Sequence, residues 1–105
     1  MAGKVKKYDG VIEAVRYNPA GQIDWVRAYE RYGFVFSDWI KLDRRTLIER
    51  LKAGKRFLVG QRLIYMGNDF EVSEPVRLVQ RNGVEYILAG DSQEDQDHLG
   101  DVPII

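Results

Sequence analysis

Polar and apolar positions alternate along most of this chain, and one stretch switches to a helical period. Between Tyr8 and Gly33 two alternating runs flank Asn18-Pro19-Ala20-Gly21, which reads as one long β-hairpin. Pro19 holds the φ of about −65° that the second position of a type I turn needs, Asn18 bonds back to the backbone, and Gly21 takes the left-handed position of a bulged turn. Such a turn sets Asn18 opposite Gln22. It also brings Glu13 opposite Arg27, Asp9 opposite Arg31 and Arg16 opposite Asp24, opposite-charge pairs worth roughly 0.2–1 kcal/mol each. Alternation then sorts the ribbon into two faces. One carries Ile12, Ala14, Val26 and Ala28; the other carries Val11, Val15, Tyr17, Ile23, Trp25 and Tyr29, with Arg27 and Arg31 among them.

After Gly33, the apolar run Phe34-Val35-Phe36 predicts a short third strand buried on both faces. Trp39 to Leu42 is ambiguous. Asp43 is placed to cap a helix over residues 44–53, on which Leu47, Ile48 and Leu51 make a narrow apolar stripe and which Gly54 stops. A β segment follows from Lys55 to Met66 with a bulge at Gly60, Gly67-Asn68-Asp69 turns the chain, Phe70-Glu71-Val72 pairs back, and Ser73-Glu74-Pro75 forms a loop. Asn82-Gly83 is a type I′ hairpin signal that sets Leu78 opposite Ile87 and Val79 opposite Tyr86. This order predicts a mainly β domain with one helix after the third strand: a small five- to six-stranded antiparallel barrel, OB-like or SH3-like.

Charge changes the picture more than composition does. Hydrophobic residues make up 45% of the 105, enough for a single domain with its own core over residues 1–90. The formal net charge is zero, yet residues 1–90 carry +5 and residues 91–105 carry −5. The acidic stretch, with Asp91, Glu94, Asp95, Asp97 and Asp101, has the composition of a disordered tail. The basic surplus concentrates around the helix, in Lys41, Arg44, Arg45, Arg50, Lys52, Lys55 and Arg56. Such a patch attracts phosphates, and the tail either masks it or touches nothing. Without cysteine, a signal-like start or a long apolar run, the sequence points to a cytoplasmic protein with no membrane partner.

Catalytic constellations do not assemble from these residues. His98 is the lone histidine and sits in the acidic stretch, so Ser37, Ser73 and Ser92 have no histidine partner in an ordered region. Asp38, Asp43 and Asp69 match no cation-loop spacing, and no glycine precedes a Gly-Lys-Ser/Thr element. A non-enzymatic role without metal or cofactor is expected.

Gly10-Val11-Ile12 followed by Tyr32-Gly33-Phe34-Val35-Phe36-Ser37 resembles the cold-shock domain, in which a Gly-x-Val strand precedes a Lys-Gly-Phe-Gly-Phe strand. The resemblance implies that Phe34 and Phe36 stack on bases, with Trp25 and Tyr29 alongside. Two functions remain open. In one, the domain binds single-stranded DNA or RNA: Trp25, Tyr29 and Phe34 stack on bases while Arg27, Arg31, Lys41, Arg44, Arg45, Lys55 and Arg56 hold phosphates. In the other it is a protein-interaction or homodimerisation module that buries the same aromatic face, since Trp, Tyr and Arg also favour interfaces.

Overall fold

The computed structural model describes residues 8–33, 35–63 and 70–105. Its first hairpin joins β1 (Gly10–Tyr17) to β2 (Ile23–Tyr32). The turn forms as its residues predict. Asn18 Oδ1 accepts from the backbone N–H groups of Ala20 and Gln22 at 2.9 and 3.0 Å, and Gly21 has a φ of 85° that only glycine adopts without strain.

The register holds at both ends of the hairpin and shifts in the middle. Tyr17 pairs with Ile23 and Ile12 with Ala28, but between them Arg16 faces Trp25, Val15 faces Val26 and Ala14 faces Arg27. One residue bulges from each strand, Asp24 from β2 and Glu13 from β1, and the two bulges cancel. Val15, Tyr17 and Ile23 thereby move to the face that carries Ile12, Val26 and Ala28, where all join the core. The three expected ion pairs are not among those formed by the described residues. Magnitude explains the exchange: burying one Val or Ile stabilises by about 1.5–3 kcal/mol, whereas an exposed ion pair contributes roughly 0.2–1 kcal/mol.

Beyond the hairpin, β3 (Val35–Phe36) and β4 (Ile40–Asp43) lie one after the other along the free edge of β2. The ambiguous stretch is therefore a strand, and the helix follows the fourth strand rather than the third. Val35 is exposed, so β3 is not buried on both faces. Helix α1 (Arg44–Lys52) begins where Asp43 accepts from the Thr46 N–H at 2.8 Å, and it seats Leu47, with Ile48 and Leu51, against the core. Strand β5 (Phe57–Arg62) pairs with β1 in parallel, a departure from the all-antiparallel expectation. It continues antiparallel into β6 (Phe70–Arg81) and β7 (Val84–Ala89). The result is mainly β with one helix, a sheet curled into a half-barrel.

Strand β6 differs from its sequence expectation at one place and matches it at another. Ser73-Glu74-Pro75 is not a loop but lies within the strand, at an irregularity opposite Leu58 to Gly60. A side chain at Gly60 would place its Cβ 2.4 Å from the Glu71 carbonyl oxygen, so glycine is what lets the two backbones approach. Asn82, at a φ of 53°, and Gly83 close the last hairpin, and Leu78 pairs with Ile87 and Val79 with Tyr86 as predicted. Gly67-Asn68-Asp69 lies outside the described residues. Among the described residues, no helix is long and apolar enough to cross a membrane.

The acidic stretch departs most from its expectation of disorder. Leu99 and Val102 are buried in the core, Ile104 bridges to Val15 of β1, and His98 bridges to Leu88 of β7. Asp97 is 2% exposed. Its carboxylate accepts from the N–H of Ile23 at 2.7 Å, the N–H of Ile87 at 2.9 Å and Arg44 Nε at 2.7 Å. One side chain thus ties β2, β7 and α1 together. Removing one partner of a buried ion pair leaves the other uncompensated, so Asp97→Ala is expected to lower unfolding free energy by about 3–5 kcal/mol. Urea denaturation measures this; a loss below about 1 kcal/mol, the scale of an exposed pair, would show that the carboxylate does not hold the segment.

Candidate functional site

Alternation on β2 turns Val26 and Ala28 toward the core and Trp25, Arg27, Tyr29 and Arg31 to the opposite face. Strand β4 adds to that outer face, because its register puts Lys41 directly opposite Arg27. Cations and rings then meet in pairs. Lys41 Nζ sits 4.6 Å from the Trp25 ring centre and the Arg27 guanidinium 4.9 Å from that of Trp39. Contacts of this kind contribute about 0.5–1 kcal/mol at exposed sites. Trp25 and Trp39 are the two tryptophans of the chain, and Trp39 is 53% exposed.

Farther along β2 the face closes over. Tyr29 is 6% exposed, lies 5.1 Å from the Phe70 ring, and donates its hydroxyl to Glu13 Oε1 at 2.9 Å. Burial, reinforced by the Glu13 carboxylate, raises its pKa above the ordinary tyrosine value against the opposing charge of Arg62. Arg31 donates from Nε to the Tyr8 carbonyl at 2.8 Å and stacks on Phe36 at 4.7 Å. Phe36 in turn meets Phe70 edge-on at 4.7 Å. These rings form a small second core. Tyr29 is packing rather than an open stacking surface. Phe34 lies outside the described residues.

The helix does not extend this site. Because Leu47 packs with Val26, Ala28 and Leu42, α1 lies across the sheet from Trp25 and Arg27. Its cations are also engaged. Arg44 binds Asp97 and the Glu85 carbonyl, Arg50 binds Glu30 at 2.8 Å, and Lys52 binds Glu85 at 2.8 Å. The Glu30 carboxylate holds the Arg50 pKa above its usual value. Arg45, at 3.8 Å from Glu49, is exposed on the helix. Lys55 and Arg56 stand apart as well, beside Tyr8 and Phe57 at a separate cleft where the Arg56 N–H bonds Asp9.

Sequence reasoning thus assembled ten candidates, and the fold brings Trp25, Arg27 and Lys41 together with one residue it had left out, Trp39. The one signal for Trp39 was its place two positions before Lys41, just ahead of the four-residue β4. What distinguishes this group is electrostatic. Among the described residues, Arg27 and Lys41 have no hydrogen-bond or ion-pair partner, and Arg27 Nε is buried without an acceptor. The missing acceptor is Glu13, which the β1 bulge turns toward Tyr29. His98 is likewise placed, its Nδ1 accepting from the Gly100 N–H at 3.2 Å.

Compared with protein-family models, curated proteins and solved structures, the chain matches none. The cold-shock resemblance therefore rests on its own short motifs.

Burial also raises the Tyr17 pKa, overcoming the bond its hydroxyl oxygen accepts from the Leu99 N–H. With both phenols raised, the folded chain keeps protons that the unfolded chain has released. Their contribution is complete below the unfolded value of about 10 and is lost as pH rises through the folded values. Urea midpoints are therefore expected to fall as pH rises past about 10, less steeply in Tyr29→Phe; identical slopes in the two proteins would show that Tyr29 does not contribute.

Proposed function

We propose that this domain is a non-enzymatic binding module that takes single-stranded nucleic acid on the face formed by Trp25, Arg27, Trp39 and Lys41. The observation that carries the reading is the pairing of two cations that lack anions with the two tryptophans, while Arg44, Arg50 and Lys52 are each engaged by a carboxylate. Phosphates supply the absent anion and unpaired bases supply flat partners for the indoles. An OB-like architecture belongs to the same reading, since such barrels present oligonucleotides to a sheet face. So does a cytoplasmic setting, which the lack of cysteine fits.

Two stacks at about 1–3 kcal/mol each, together with two phosphate contacts, place the Kd for a short oligothymidylate between about 1 µM and 1 mM. Trp39→Ala is expected to weaken binding about 5- to 150-fold. Lys41→Gln is expected to flatten the slope of log K against log salt by about 0.7, the share of one phosphate on a single strand. Arg45→Gln, across the sheet, leaves both unchanged. Titration followed by tryptophan fluorescence at two ionic strengths checks all three, and absence of binding at low salt removes the reading.

Exposed Tyr32, Val35 and Trp39 lie close in sequence around the β3–β4 edge, which favours a protein-interaction or homodimer module as the second reading. A dimer in light scattering that Trp39→Ala dissolves would replace the first.

A further inference from the structure

A cleft of about 620 Å³ opens where β5 diverges from β1, between the Glu13 bulge, the β5–β6 pair and the C-terminal segment. Its volume falls in the range of small-molecule sites, about 300–1,000 Å³. Ala14, Val59, Val72 and Val102 supply apolar lining, and Glu13 and Arg27 supply polar groups. Arg27 belongs to two places at once, since its guanidinium also lies over Trp39. Arg27 therefore borders both the cleft and the tryptophan face.

The polar groups are mismatched in a way that a ligand would correct. The Arg27 side chain has no acceptor among the described residues, and because its Nε is sealed from solvent, its Nη groups are the donors a ligand can reach. Glu13 has committed Oε1 to the Tyr29 hydroxyl, leaving its other oxygen as an acceptor. A direct bond between Glu13 and Arg27 is what the plain hairpin register would have made, and the bulge prevents it. What fits between them is a flat group with an N–H donor next to an acceptor. The Watson–Crick edge of an unpaired nucleobase has that pattern in every base. Glu71, Glu74 and Asp101 also line the cleft, and their charge excludes phosphate from it, so that the base enters while the strand's backbone remains beside Arg27 and Lys41.

We propose that this cleft receives one base by its Watson–Crick edge, the base N–H donating to Glu13 and the base acceptor receiving an Nη–H of the Arg27 guanidinium. The inference rests on the nucleic-acid reading of the tryptophan face and adds a reason for single-strandedness beyond stacking, because a paired base has no free edge.

Oligothymidylate and the same oligomer built from N3-methylthymidine decide it. Methylation removes the N3–H but keeps the ring, the charge and the chain. The wild-type protein is expected to bind the methylated oligomer about tenfold more weakly, the discrimination of one base-edge contact. In the double variant E13A/Y29F, which removes the carboxylate without leaving the phenol unpaired, the two oligomers are expected to bind equally. Equal binding by the wild type overturns the cleft proposal and leaves the tryptophan reading standing; so does a methylation penalty that persists undiminished in E13A/Y29F. Absence of binding by either oligomer overturns both. If the double variant does not fold, the wild-type comparison alone decides.

Discussion

The Asp97 carboxylate is the constraint on which the rest of this fold depends. Removing a carboxylate from water costs several kcal/mol, and here two backbone N–H groups and a guanidinium offset it. These donors belong to the start of β2, to β7 and to the first turn of α1, elements far apart in sequence. The segment that carries Asp97 then places Leu99 and Val102 in the core and reaches β1 at Val15. Strand β7 is an open edge of the sheet; this segment bridges it at Leu88 and reaches β1 at Val15, beyond the stretch of β1 that pairs with β5. The acidic charge of residues 91–105 is thus partly internal to the domain, with Asp97 on Arg44 and Asp95 on Arg81.

The same competition between burial and charge shapes the first hairpin. A plain register would have paired Glu13 with Arg27 and left Val15 and Tyr17 on the outer face. Bulges at Glu13 and Asp24 send those side chains inward instead. The stabilisation from apolar burial exceeds that of the ion pairs forgone. The consequence is local frustration on the outer face, an arginine without its acid beside an indole. Helix α1 resolves its charges in the opposite way, each of Arg44, Arg50 and Lys52 finding a carboxylate from another element. A basic stretch in sequence has therefore become a set of internal contacts, and the unpaired cations lie on the other side of the sheet.

Local chemistry made much of this legible from the chain alone. The Asn18 to Gly21 turn, the Asp43 cap, the register of the last hairpin and the bulge near Gly60 all follow from residues whose backbone preferences act within a few positions. So does the separation of Trp25, Arg27, Tyr29 and Arg31 from Val26 and Ala28, which needs only the two-residue period of a strand. Trp39, in contrast, stands just ahead of a four-residue strand whose partner lies more than ten positions earlier, and no local period announces so short an element.

Tertiary structure alone decided three things. It bent the hairpin register, because bulges are chosen by what the far side of the ribbon packs against. It drew an acidic segment into the core, because composition counts charges and does not see the donors that await one of them. And it parted the basic helix from the tryptophan face, because charge along a sequence carries no information about which side of a sheet each residue will occupy. The sequence by itself determined which residues turn, cap and alternate; the contest between burying apolar groups and satisfying charged ones, settled across the whole molecule, determined where those residues ended up.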